Sequence, residues 1–150
     1  VQMALTGVQL LYAGDEKALL NDYSYRDDKS KKEDSRWVHR IKTDWSRKSE
    51  FKSQEMVADF VKKVIALRKE EPMLGGSEIF FYDIQDSHVF AFRRGTIHVV
   101  ANFSDSPAEF MIDAWSENSR DLLSGRNFWN HQKQLLSPYE VRWLKEIIEN

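Results

Sequence analysis

The stretch His88–Phe103, HVFAFRRGTIHVVANF, decides the fold class. It is rich in β-branched and aromatic residues, its side chains follow a period of two, and Gly95 breaks it in the middle. Such a pattern predicts two strands, 88–94 and 96–103, joined by a turn. The same period runs outward on both sides. Further strands are predicted at 78–84, 108–113, 120–123, 133–136 and 140–147. Turn signals separate them at Asp86-Ser87, Ser104-Asp105-Ser106-Pro107, Ser124-Gly125 and Ser137-Pro138. Short strands with regular breaks predict a self-contained antiparallel β-sandwich over 77–150.

Upstream the period changes. Met56, Val57, Phe60, Val61, Val64 and Ile65 form one apolar stripe of a helix over 53–71, with Pro72 and Gly75-Gly76 closing it. Before it, residues 17–50 carry mixed charge without an apolar period, and Tyr23, Tyr25, Trp37 and Trp45 are set among the charges. A long loop that holds aromatics is expected to be functional rather than disordered. At the start, Val8, Leu10, Leu11 and Tyr12 make a short apolar run ending at Gly14, which predicts a buried strand with Asp15 and Glu16 at its edge. The order strand, loop, helix makes a βα unit, and such a unit cannot bury both faces of its strand alone.

Bulk properties narrow the classes. The formal charge of −2 and pI near 6.1 argue against a general nucleic-acid binder. No apolar run reaches the roughly 18 residues of a membrane span, and no signal peptide is visible. The absence of cysteine removes thiolate metal sites and disulfides, and it fits a cytoplasmic protein. No cofactor or metal is expected.

Three stretches carry a resemblance. Gly7-Val8-Gln9-Leu10-Leu11-Tyr12-Ala13-Gly14-Asp15-Glu16 resembles the eighth barrel strand of the α-amylase superfamily of glycoside hydrolases. Leu20-Asn21-Asp22-Tyr23-Ser24-Tyr25, with Asp34-Ser35-Arg36-Trp37-Val38-His39-Arg40, resembles the long eighth loop of amylosucrases, with Ile41 where that pattern has proline. Leu135-Leu136-Ser137-Pro138-Tyr139-Glu140-Val141-Arg142-Trp143-Leu144 is similar to the last strands of the family's C-terminal β-domain. The resemblance covers essentially the whole chain. It implies an α+β fragment: residues 1–75 would be the end of a (β/α)8 barrel, and 76–150 a C-terminal β-sandwich domain.

The family's retaining mechanism uses two carboxylates about 5 Å apart. The resemblance places them, and a third acid, before Val1, so no catalytic residue is expected in this chain. Asp15 and Glu16 are adjacent in sequence and are read as structural acids. By resemblance, Arg36 would stand at the floor of the glucosyl pocket, paired with an aspartate from an early barrel loop; Asp34, Trp37 and Tyr23 are further substrate-binding candidates. A guanidinium suits such a place because it binds a carboxylate through two parallel hydrogen bonds. Trp37, Tyr23 and Tyr25 could instead pack the loop against the barrel, the preferred reading for Trp37. His39 is read as a structural histidine and Lys29–Lys32 as a solvated loop. Phe80, Phe81, Phe90, Phe92, Trp129 and Trp143 are read as core. The expected partner is sucrose or an α-glucan in the intact protein, with self-association of the isolated chain. A non-catalytic β-sandwich module that binds carbohydrate or protein is the other reading.

Overall fold

The computed structural model describes residues 1–40, 51–76, 78–112, 118–129 and 132–148. Ile41 and Trp45 lie outside them. The chain divides into two compact units, Val1–Gln9 with Lys63–Asn150, and Leu10–Lys62.

The first unit is built on a six-stranded antiparallel sheet in the order β1-β2-β3-β8-β5-β6. Its strands are β1 (Phe80–Phe81), β2 (Val89–Arg94), β3 (Ile97–Asn102), β5 (Asn118–Asp121), β6 (Asn127–Trp129) and β8 (Val141–Glu146). β4 (Ala108–Phe110) and β7 (Gln134–Leu136) pair separately as a second, two-stranded sheet. The hairpin expected around Gly95 is present, with Arg94 opposite Ile97 and Gly95 at φ +57°. That backbone conformation suits glycine. β3 sits at the centre, and every residue of it is buried.

Alternation sorts the side chains of these strands onto two faces. Val89, Ala91, Val100 and Leu144 pack against Ala108, Phe110, Ile112 and Leu136 of the small sheet and its flank. Phe92, Ile97, Val99 and Trp143 point the other way and pack with Ala4, Val64 and Leu74. The sandwich predicted over 77–150 therefore closes its second face with residues that precede it. Two arginines hold the N-terminal segment there. Arg94, fully buried, donates to the carbonyls of Ala4 and Gly76. Arg68 donates to those of Met3 (2.8 Å), Leu5 (3.0 Å) and Gly7 (3.0 Å). These groups satisfy backbone acceptors that no strand reaches.

The helix predicted over 53–71 is α1 (Lys52–Glu70), followed by the single turn α2 (Pro72–Gly75). Pro72 starts α2, where its missing N–H costs nothing. Of the predicted stripe only Val64 is buried, while Met56, Val57 and Phe60 are exposed. The aromatic core needs a similar correction: Phe92 and Trp143 are buried, but Phe80, Phe81 and Trp129 are exposed. The reason is positional, because β1 and β6 are the edges of the sheet.

Among its described residues the second unit holds three short 3₁₀ helices, Asp15–Lys17, Ser24–Asp27 and Ser35–His39, and the first turns of α1. The strand predicted over 8–12 is not formed: Val8, Leu10, Leu11 and Tyr12 belong to no ladder, and Val8 and Leu10 are 92% and 80% exposed. A strand exists only through a ladder, and the described ladders do not include this segment. No described helix is long and apolar enough to cross a membrane.

Candidate functional site

The charged loop takes its shape from aspartates that accept backbone N–H groups two residues on. Asp22 accepts from Ser24 (2.8 Å), Asp28 from Ser30 (2.9 Å) and Asp34 from Arg36 (3.0 Å). Such local turns let a segment without an apolar core adopt a fixed path. Asp22 N–H also donates to the Val38 carbonyl at 3.1 Å, closing the stretch between them.

Arg36 takes its carboxylate partner from its own neighbourhood. Nε donates to Asp34 Oδ1 at 2.8 Å, and Nη2 to Oδ2 at 3.0 Å. The guanidinium holds the Asp34 carboxyl below its ordinary range, and Asp34 in turn raises Arg36. The Arg36 side chain is 73% exposed. Trp37 carries Lys31 Nζ at 5.0 Å and Arg40 Cζ at 5.6 Å from its ring centre. Tyr23 carries Arg26 Cζ at 5.0 Å. Both rings are thus engaged by cations of the loop.

None of these four residues lines the cleft of this unit. That cleft, about 380 Å³, is lined by Tyr12, Ala13, Gly14, Asp15, Leu19, Leu20, Asn21 and His39. Gly14 sits at φ +106°, and a Cβ there would lie 2.8 Å from the Leu19 side chain, so only glycine fits the turn. Its N–H donates to Glu16 Oε2 at 2.9 Å, a structural use of that acid as expected. His39, read as structural, does have a partner: its Nδ1 lies 3.1 Å from Asn21 Oδ1. The amide oxygen can only accept, so Nδ1 donates. Sequence reading misses Tyr12, Asp15, Asn21 and His39 as a group.

A second polar group lies in the sheet unit. Tyr82 O–H donates to His98 Nδ1 (2.7 Å), and His98 Nε2–H donates to Glu146 Oε1 (2.8 Å). Burial pushes the imidazole below its ordinary value, against the opposing pull of Glu146. Burial also raises the Tyr82 phenol. Among the described residues no group of three His, Asp or Glu is placed to hold a metal ion.

No protein-family model matches this sequence. The fold, however, recurs in solved structures. Ttha1563 from Thermus thermophilus shares it with a TM-score of 0.60 and 25% identity, over 73% of this chain and 24% of that one. A variant of AmyP in complex with maltotriose shares it with a TM-score of 0.62 and 15% identity, over 71% of this chain and 24% of that one. The trehalulose synthase MutB from Pseudomonas mesoacidophila MX-45, solved also as a variant with its substrate sucrose, matches with a TM-score of 0.50 and 22% identity, over 59% of this chain. The chain spans 24% or less of the length of each of these proteins. What they share with it is a small α+β fold built on an antiparallel sheet.

Proposed function

We propose that this chain is the C-terminal part of a glycoside hydrolase or transglucosidase of the α-amylase superfamily, most like an amylosucrase, acting on sucrose or an α-glucan in the cytoplasm. The observation that carries this reading is the shared fold with two enzyme structures that hold maltotriose and sucrose, each several times longer than this chain. The GVQLLYAGDE stretch and the segments 20–25 and 34–40 supply the family resemblance that narrows it. In the intact protein, residues 1–75 would complete the barrel and 76–150 would form the stabilising β-domain. Arg36 would close one end of the glucosyl pocket, with Asp34, Trp37 and Tyr23 beside it. The Asp34–Arg36 pair is formed within the loop itself. The catalytic carboxylates would come from the preceding barrel strands, so this chain alone would turn over nothing.

The test compares two proteins. One is the full reading frame containing this segment; the other is the 150-residue chain. Both are incubated with sucrose and with maltotriose, and fructose, glucose and reducing ends are measured. The full protein is expected to release fructose or reducing ends and the chain to match a heat-killed control. Turnover by the chain, or none by the full protein on either sugar, refutes the reading.

A further inference from the structure

We propose that Met73 is a site of reversible oxidation, at which a hydroperoxide converts the thioether to the sulfoxide and releases the β2–β3 hairpin from α2. The proposal does not depend on the glycoside-hydrolase reading. Met73 stands on α2, and its side chain reaches the tip of the hairpin. There Sδ accepts from Thr96 N–H at 3.3 Å and from Thr96 Oγ–H at 3.4 Å. Its Cγ and Cε cover Gly95, at 3.1 Å and 3.3 Å from the point where a Cβ would stand. The sulfur thus serves a backbone N–H in the turn itself, between the paired residues Arg94 and Ile97. A thioether is a weak acceptor, so chemistry at one atom can remove this hold. Met73 is also 45% exposed, within reach of a small oxidant. Met56 is more exposed still, at 64%, so Met73 is set apart by what its sulfur touches rather than by access.

The reaction is a two-electron oxygen transfer. A sulfur lone pair attacks one peroxide oxygen, and an S–O bond forms as the O–O bond breaks. The leaving hydroxide takes up the proton of the transferred oxygen and departs as water. Sulfur is oxidised and the peroxide is reduced. The product is a polar side chain in place of an apolar one. Its sulfur carries a partial positive charge and no longer suits an N–H donor. Its oxygen can accept, but only after the side chain turns, which lifts Cγ and Cε off Gly95. The change stays local. Leu74 is fully buried and keeps α2 in the core, and Lys145 holds Glu71, the residue before α2, through two bonds of 2.8 Å. What loosens is the turn next to Arg94, the residue that grips the carbonyls of Ala4 and Gly76.

The test exposes the 150-residue chain to hydrogen peroxide, maps oxidised methionines by peptide mass spectrometry and follows hydrogen exchange of the Thr96 amide by NMR. One added oxygen at Met73 and faster exchange at Thr96 are expected together. Loss of one hydrogen bond shifts an opening equilibrium by a factor of about two to ten, so Thr96 should exchange faster by that factor while Val99 and Val100 keep their rates. A methionine sulfoxide reductase with a thiol reductant should restore the original rate. Met73→Leu, which keeps the bulk and removes the sulfur, should exchange fast at Thr96 without peroxide and show no response to it. The double variant Met56→Leu with Met111→Leu should respond as the parent does. The proposal is overturned if Met73 resists peroxide that has fully oxidised Met56 and Met111, or if its oxidation leaves Thr96 exchange unchanged or slower. It is overturned equally if reduction of the sulfoxide does not restore the rate, if Met73→Leu still responds, or if the double variant does not.

Discussion

Asn102 gives a sharp test of how the sandwich is held together. Its side chain is 2% exposed and makes four hydrogen bonds. Nδ2 donates to the carbonyls of Ser106 (2.7 Å) and Ser137 (3.0 Å), and Oδ1 accepts from Ser104 N–H (2.9 Å) and Oγ–H (2.8 Å). One amide thus pins the β3–β4 loop to the turn before β8. Asn102→Asp keeps the shape and reverses half of the polarity, because two carbonyls then face a carboxylate. A buried acceptor left without its donor costs about 1–3 kcal/mol, and two such losses with an uncompensated charge cost roughly 3–5 kcal/mol. Total stabilities of about 5–15 kcal/mol make that a large fraction. Burial and the two carbonyls should raise the new carboxyl's folded-state pKa above its unfolded value of about 3.9. The penalty is then present in full near neutral pH and fades as pH falls toward 4, when a protonated acid can again donate. Urea unfolding by near-ultraviolet circular dichroism at pH 7 and pH 4.5, with amide exchange of Val99 and Val100 as the local probe, measures both. A loss below about 1 kcal/mol at pH 7, or a gap that widens on acidification, refutes the reasoning.

Three other outcomes follow from the same structure. Because burial lowers the His98 imidazole below its ordinary value near 6.5, its contribution to stability is present above that pH and is lost as pH falls below it; the stability difference between the parent and His98→Gln should shrink from pH 7 to pH 5, and a constant difference would show that His98 does not titrate in this way. Gly95→Ala places a Cβ against Met73 Sδ and an L-residue at φ +57°; the backbone part alone costs about 1–2 kcal/mol, and adding Met73→Ala should recover the remainder in thermal melts, whereas an unshifted melting temperature for Gly95→Ala would contradict the geometry. The isolated chain should self-associate through Val8, Leu10, Met56 and Phe60, each exposed side chain forgoing about 1.5–3 kcal/mol of burial; light scattering should show a smaller particle for Leu10→Asp with Leu11→Lys, and a monomeric parent with protected amides at 8–12 would sink this prediction.

Much of the sheet is legible in the sequence because β2, β3 and β8 are long enough for a period of two to declare itself, and their β-branched and aromatic residues agree with it. β6 escapes because Asn127–Trp129 is three residues long and opens on a polar residue. The sequence pattern sets β5 two residues late, since Leu122 and Leu123 read as strand. In the structure they follow Asp121, whose carboxylate accepts from Leu123 and Ser124 N–H and forms a turn there. The segment 8–12 shows the limit of apolar pattern: Val8-Gln9-Leu10-Leu11-Tyr12 has the composition of a strand, but pairing is a property of two segments. The site divides in the same way. The Asp34–Arg36 pair spans two residues, and aspartate before Ser-Arg is a local capping signal. The Asn21–His39 pair spans eighteen residues and has no local signature. Its existence depends on the Asp22–Val38 closure, which is tertiary information.

The Arg68 clamp has an architectural consequence. The chain departs from the sheet unit at Gln9 and re-enters it at Lys63. Arg68, on the returning stem, grips the carbonyls of Met3, Leu5 and Gly7 on the departing one. The excursion between them is therefore fastened at its neck by this side chain beside the apolar packing of Ala4 with Val64, and its length is decoupled from the host it springs from. Closing a longer excursion costs little, about 0.6 kcal/mol for each doubling. Evolution can thus rewrite, extend or replace the whole of Leu10–Lys62 as a cassette, while one guanidinium keeps its two ends in register with an unaltered sheet.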